Sequence, residues 1–172
     1  MFRKTSLVFT LIALFIATSL SAQTAPKYGH MNLGNLLEQM PDTKTAEETL
    51  KVFADKLAAK DDSLTKAFQA AYTALETEYK GGGLTPVQAQ KRQEELQKQQ
   101  EFIQKFEQEA QQAVADKRTD LLKPILTKIN DAVKAVAKEV GYSMVFDTSS
   151  GVMLFAAETE DVTALVKKKL GI

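Results

Sequence analysis

The chain has 172 residues, enough for one domain, and its 44% hydrophobic and 26% charged content places it among foldable globular chains. It holds no cysteine and one histidine, which excludes a disulfide framework and a Cys/His zinc site of the usual kind. The 22 basic and 22 acidic residues cancel, so the charge balance points away from nucleic acid as a partner.

Residues 1–22 read as a cleaved secretory signal peptide. Arg3 and Lys4 form a basic start, Leu7 to Leu20 is apolar, and Ser19, Ser21 and Ala22 supply small residues near the cut. The apolar run is about 14 residues, short of the roughly 20 that span a bilayer. Without a cysteine there is no lipoprotein attachment. Removing Arg3 and Lys4 leaves 20 basic against 22 acidic residues, a nearly neutral exported chain.

The mature chain begins with a short strand over Tyr28-Gly29-His30-Met31-Asn32, then a short helix carrying Leu33, Leu36, Leu37 and Met40 and closed by Pro41. Thr45 and Glu48 form a capping box for a second helix. Its stripe of Ala46, Leu50, Phe53, Leu57, Leu64, Phe68, Tyr72, Leu75 and Tyr79 predicts a rod about 57 Å long. Gly81, Gly82 and Gly83 end it, because glycine costs backbone entropy in a helix and admits positive φ.

Thr85 offers the next N-cap, Pro86 fits the first helical position, and Gln88 completes a second capping box. The helix from Pro86 toward Val140 is about 80 Å long. Its stripe of Val114, Arg118, Leu122, Ile125, Ile129, Val133, Val136 and Val140 follows an 11-residue period, which predicts straight or slightly right-handed arms. Pro124 removes one backbone bond and is expected to bend this rod without ending it.

Gly141 stops the helix. Tyr142 to Asp147 alternates as a strand, and Thr148-Ser149-Ser150-Gly151 predicts a turn into a second strand from Val152 to Ala156, giving a β-hairpin. A terminal helix follows, with Val162, Leu165, Val166 and Leu170 on one face and Lys167 to Lys169 near its end. The expected fold is α+β: a small β body from residues 23–41 and 141–172, and a helical hairpin arm over residues 42–140 with its tip at 81–86.

Folding the hairpin about Gly83 sets residues whose numbers sum to about 166 opposite each other, since both helices rise equally per residue. Toward the base this pairs Phe53 with Val114, Met40 with Ile125 and Leu37 with Ile129, a matched apolar seam. Toward the tip, Phe68, Tyr72, Leu75 and Tyr79 face the neighbourhood of Lys98, Glu94, Lys91 and Val87. Those rings either lie under the aliphatic stems of Lys91, Arg92 and Lys98 or remain as an exposed apolar patch for partners. Three short strands leave edges unpaired, so the body is expected to oligomerise through Tyr28, Met31, Tyr142, Met144, Phe146, Val152 and Leu154, with Tyr142, Met144 and Phe146 sharing one face.

Catalytic motifs do not emerge. The sequence holds no P-loop, G-x-S-x-G or H-E-x-x-H, and His30 has no second imidazole with which to share a metal. Glu47-Glu48, Glu94-Glu95 and Glu160-Asp161 sit on helix surfaces or starts as solvation and capping. The Gln-dense run from Gln88 to Gln112 keeps helical spacing and reads as the neutral outer face of an arm. No catalytic residue, cofactor or metal is expected, and the activity is driven by binding.

In this order, Tyr28 to Asn32, Leu33-x-x-Leu36-Leu37-Glu38-x-x-Pro41, the long hairpin, Gly141-Tyr142-x-x-Val145-Phe146-Asp147 and Asp161-Val162-Thr163 resemble the Skp/OmpH-like periplasmic chaperones. The resemblance covers essentially the whole mature chain. It implies a jellyfish-shaped homotrimer whose arms hang from a β body and enclose unfolded outer-membrane proteins, holding them without ATP. From the hairpin register, the client-binding surface is expected to comprise Phe68, Tyr72, Leu75, Tyr79, Leu96, Phe102 and Phe106. The alternative is a structural spacer in the cell envelope that binds one folded partner.

One departure matters. Many members are strongly basic, whereas this chain is near neutral and its tip sets Glu78, Glu94 and Glu95 beside Lys80, Lys91 and Arg92. This balance leaves electrostatic capture and contact with lipopolysaccharide or a membrane surface open. Client affinity measured at low and at moderate salt is therefore expected to change little, and a steep loss would contradict a neutral binding surface.

Overall fold

The computed structural model describes residues 25–172; the signal-peptide assignment lies outside them. Strand β1 (Lys27–Met31) leads into α1 (Leu33–Gln39), α2 (Pro41–Lys80), α3 (Pro86–Val140), β2 (Tyr142–Asp147), a 3-10 turn (Glu158–Glu160) and α4 (Thr163–Leu170). Helices α2 and α3 form an antiparallel hairpin and the remaining elements gather at its open end.

Local chemistry sets the helix ends. The Asn32 side chain accepts from the Asn35 amide and caps α1. At the tip the Thr85–Gln88 capping box is formed in both directions, with Pro86 in the first turn. Gly141 takes φ 83°, a left-handed conformation that ends α3 and is open to glycine at little cost. Helix α3 runs through Pro124 without interruption.

One helix boundary differs from expectation. The second helix begins at Pro41, four residues before the Thr45–Glu48 box, because proline is well placed at a first helical position and Met40 can end one helix while opening the next. Thr45 then sits inside the helix, its hydroxyl donating to the Pro41 carbonyl at 3.3 Å.

The predicted β-hairpin is not formed. Instead β2 pairs with β1 in parallel, two strands separated in sequence by the whole arm, and residues 152–156 make no strand. The reason lies on the other edge of β1. There the Val162 amide donates to the His30 carbonyl at 2.9 Å, and His30 Nε2 donates to the Ala157 carbonyl at 3.0 Å. These bonds draw the chain after residue 156 back to β1 and away from β2.

The expected alternation in β2 also fails at one point. Lys27 pairs with Tyr142 but Tyr28 pairs with Met144, so Ser143 is an extra residue and the strand bulges. The bulge turns Tyr142 onto the core together with Val145, while Met144 and Phe146 face outward.

The core sits at the base. Leu36, Met40, Val162 and Val166 are at most 1% exposed, and Met31, Ala46, Ile125, Ile129, Ala132 and Val136 complete the cluster. Leu33, Leu37 and Val133 pack against it, in keeping with the expected apolar seam. Along the arm beyond Ala46 and Ile125, the buried apolar residues are Leu96 and Phe106. Lys167 bonds Gln39 and Lys169 bonds Glu139, fastening α4 to α1 and α3.

Two aspartates staple the body. Asp147 accepts from the Leu33 amide at 3.1 Å and the Ser149 amide at 2.9 Å, joining β2 to the start of α1. Asp161 accepts from the Thr163 amide at 2.8 Å and opens α4. For Asp161, desolvation works to raise the carboxyl pKa, but bonds from Thr163 and the charges of His30 and Lys167 outweigh it and hold it below the usual value.

Leu36→Ala is expected to cost about 2–5 kcal/mol in urea unfolding, as a fully enclosed leucine leaves a cavity. Gly29→Ala also destabilises, because a Cβ there would meet Val162 Cγ1 at 2.9 Å.

A depressed carboxylate stabilises the fold above its unfolded pKa, and that contribution is lost as pH falls through the folded value. The Asp161 contribution is therefore present above pH 3.8 and disappears below it. In acid titrations of the urea midpoint, Asp161→Asn is expected to flatten the low-pH limb while lowering the midpoint at neutral pH.

Candidate functional site

A groove of about 800 Å³ lies between α2 and α3 near the tip. Phe68, Leu75, Ala89 and Leu96 form its floor, Tyr72 and Tyr79 one wall, and Gln90, Gln93, Gln97 and Gln100 the other. Leu96 is 8% exposed, whereas Tyr72 and Tyr79 are 50% and 63% exposed. The groove is apolar at its base and neutral along its glutamine wall, with Glu76 as the charged residue lining it.

The inter-helix register explains this lining. Arg92 bonds Glu78 at 3.0 Å and Lys128 bonds Asp42 at 2.9 Å, and both pairs sum to 170 rather than the expected 166. The Lys60 ammonium lies over the Phe106 ring, 4.9 Å from its centroid, and this pair sums to 166. The groove lining fits a sum of 168, between these values, which sets Phe68 opposite Gln100, Tyr72 opposite Leu96, Leu75 opposite Gln93 and Tyr79 opposite Ala89, in place of Lys98, Glu94, Lys91 and Val87. The rings thus lie beside amides, not under lysine stems, and Arg92 is drawn to Glu78.

Phe68, Tyr72, Leu75, Tyr79 and Leu96 are brought together in this one groove. Phe106 is buried between the helices under Lys60, and Phe102 is 53% exposed outside the groove lining. The glutamines were the residues that sequence reasoning missed as lining groups. Their 3, 4, 3 spacing was the available signal, since it places them on one helix face.

The same face continues toward the base. Ala54, Leu57 and Ala58 meet Ala110 and Val114 in a second groove of about 430 Å³. Residues 54 and 58 lie 14 positions from 68 and 72, and such a step returns to within about 40° on a helix, so both grooves open on one side of the arm.

The β body carries a separate apolar surface. Tyr28, Met144 and Phe146 are each more than 40% exposed on the outer face of the sheet, with the Tyr28 and Phe146 rings 6.2 Å apart. Val152, Leu154 and Phe155 are 84%, 98% and 86% exposed on the extended segment. Met31 and Tyr142 do not belong to this surface: Met31 is 4% exposed inside the core, and Tyr142 packs against that core beneath Lys27. Strand parity removes the first and the bulge removes the second.

Among the described residues no group of three His, Cys, Asp or Glu side chains could hold a metal ion, and no helix is long and apolar enough to cross a membrane. What the arrangement offers chemically is a set of apolar and amide contacts.

Comparison with known proteins agrees with this architecture. The Skp chaperone of Pectobacterium atrosepticum is 26% identical over 159 residues, covering 92% of this chain and 94% of that protein. The Skp chaperone of Yersinia enterocolitica is 27% identical over 163 residues, with the same coverage. A crystal structure from Caulobacter crescentus, described as an OmpH-like outer membrane chaperone, superposes with a TM-score of 0.72 at 16% identity, covering 87% of this chain and 86% of that one, a likeness of fold. The family model described as outer membrane protein (OmpH-like) matches residues 27–170, nearly the whole described chain, and the protein accordingly belongs to the OmpH-like family.

Proposed function

We propose that this protein is an ATP-independent holdase of the periplasm, which keeps unfolded outer-membrane proteins from aggregating before insertion. The observation that carries the reading is what the arm leaves open: the core between the helices closes at the base, while farther out the arm presents a partly exposed aromatic groove near its tip. An unfolded barrel strand exposes alternating apolar residues and unpaired edges, and many weak apolar contacts can delay its aggregation without a sequence code. The relatives named as chaperones support this reading over a spacer for one folded partner, and over catalysis.

Assembly follows from the second surface. Tyr28, Met144, Phe146, Val152, Leu154 and Phe155 leave a body whose apolar side chains have no cover within the chain. A homotrimer would bury them and set three arms around a common space. The free edges beside residues 152–156 would then pair with a neighbouring copy, a step unavailable to one chain alone.

Light scattering is expected to give three times the mass of the mature chain, and Leu154→Asp with Phe155→Asp is expected to give monomers. Tyr72→Ser with Tyr79→Ser should leave the trimer intact and weaken retention of a urea-diluted outer-membrane barrel by about tenfold, the equivalent of roughly 1.4 kcal/mol of lost ring contact. A monomeric wild type that fails to suppress barrel aggregation would overturn the proposal.

A further inference from the structure

We propose that the tip groove of each arm is a binding site for a short extended peptide segment, held by its backbone along the glutamine wall and by alternate apolar side chains on the floor. The inference rests on the holdase reading and specifies how the client is recognised.

Dimensions favour an extended ligand. From Phe68 to Tyr79 the floor and wall run 11 residues along α2, about 16 Å, which matches about five residues of extended chain. Alternate side chains of a strand repeat every 6.6–6.8 Å or so, close to the mean step of about 5.5 Å between Phe68, Tyr72, Leu75 and Tyr79. Three successive apolar side chains of an alternating segment can therefore face the floor at once.

The glutamine wall decides between occupants. A helical ligand has already satisfied its backbone groups and would meet the amides with side chains alone. An unfolded strand carries free N–H and C=O groups along both edges, and a glutamine amide both donates and accepts. Gln90 and Gln97 each commit an amide N–H to Glu94 and Glu101, which leaves their carbonyl oxygens without a partner among the described residues. Gln93 and Gln100 make no side-chain bond among the described residues, so both halves of each amide are available.

Charge disfavours anionic ligands. The groove lining holds one carboxylate, Glu76, and no lysine or arginine, so an anionic headgroup or acidic peptide has nothing to pair with. Arg92, a basic side chain that α3 carries near the tip, is engaged by Glu78. A neutral segment with alternating apolar residues is the chemistry that fits, which is the pattern of a membrane-barrel strand before it closes.

The test uses a fluorescein-labelled heptapeptide alternating Thr and Val, together with an analogue whose internal amides are replaced by esters. The analogue keeps the side chains and loses the N–H donors. Wild-type protein is expected to bind the amide peptide about tenfold more tightly than the ester, the upper end of one net hydrogen bond. The triple variant Gln93→Ala, Gln97→Ala, Gln100→Ala, which keeps only Gln90 of the wall, should lose most of this discrimination while keeping its helical circular dichroism, since alanine is a strong helix former at exposed positions.

Equal binding of both peptides by wild type, no binding of either, or undiminished discrimination by the triple variant would each overturn the inference. So would a mass that climbs beyond the trimer with concentration and falls back in the triple variant, which would make a second copy the occupant. Barrel aggregation is measured on the same preparations: suppression without peptide discrimination removes the glutamine wall and leaves the holdase, whereas lost suppression removes the holdase itself.

Discussion

A length mismatch governs this structure. Helix α3 has 55 residues and α2 has 40, so 15 residues of α3, about 22 Å, would stand at the base with no antiparallel partner. That overhang carries Ile129, Ala132 and Val136, all buried, and an apolar helix face cannot be left in water. Helix α1, strand β1 and helix α4 are the cover. Met40 joins α1 to α2 with one residue, so the shorter arm is extended past its own end by a second helix. Helix α4 then closes the cluster from the far side, with Val162 and Val166 fully enclosed.

Once the base is sealed in this way, the rest of the arm is under weak constraint. Burial falls off sharply beyond Ala46 and Ile125, and the ion pairs along the arm are largely exposed i,i+4 pairs within one helix, which contribute little to stability. Glu78–Arg92 near the tip and Asp42–Lys128 near the base are exposed pairs that bridge the two helices, while the basal core sets how they meet. A seam fixed at its base and thin beyond it is free to leave grooves, and it does so repeatedly on one side. The apolar surface available for binding is thus a by-product of where the core was concentrated.

Much of this was legible in the sequence, and what was legible was local. Helix ends follow from residues within a turn of one another, as at Thr85–Gln88 and Gly141, and both lie where expected. The β-hairpin was misplaced because strand pairing is decided at long range. Nothing near Val152 to Ala156 reveals that His30 and Val162 will bond across 132 positions and claim the chain for the other edge of β1. Tyr142 turns inward for a related reason, a bulge at Ser143 that only the partner strand reveals, whereas Met31 lies in the core by the parity of β1 itself.

The register error has a compact cause. Setting the fold axis at Gly83 treats the turn as symmetrical, but the Gly81 amide donates to the Thr77 carbonyl at 3.0 Å and the Gly83 amide to Glu78 at 2.9 Å. The glycines therefore wrap back onto the last turn of α2, and the apex moves toward Leu84. Each residue of apex displacement changes the pairing sum by two. A small asymmetry in the turn thus exchanges a lysine-lined groove for a glutamine-lined one.

That exchange bears directly on how such a groove can release what it binds. A lysine wall would bind through charge, strongly for acidic segments and weakly for others, and screening would set the rate of release. Amides offer each segment a few hydrogen bonds that water can replace at small net cost, so a single groove holds a neutral strand weakly. Three such grooves acting on one chain gain avidity from effective concentration without tightening any one of them. A client can then leave segment by segment as its own strands begin to pair, since every backbone bond made within the barrel removes one that the glutamines could have made.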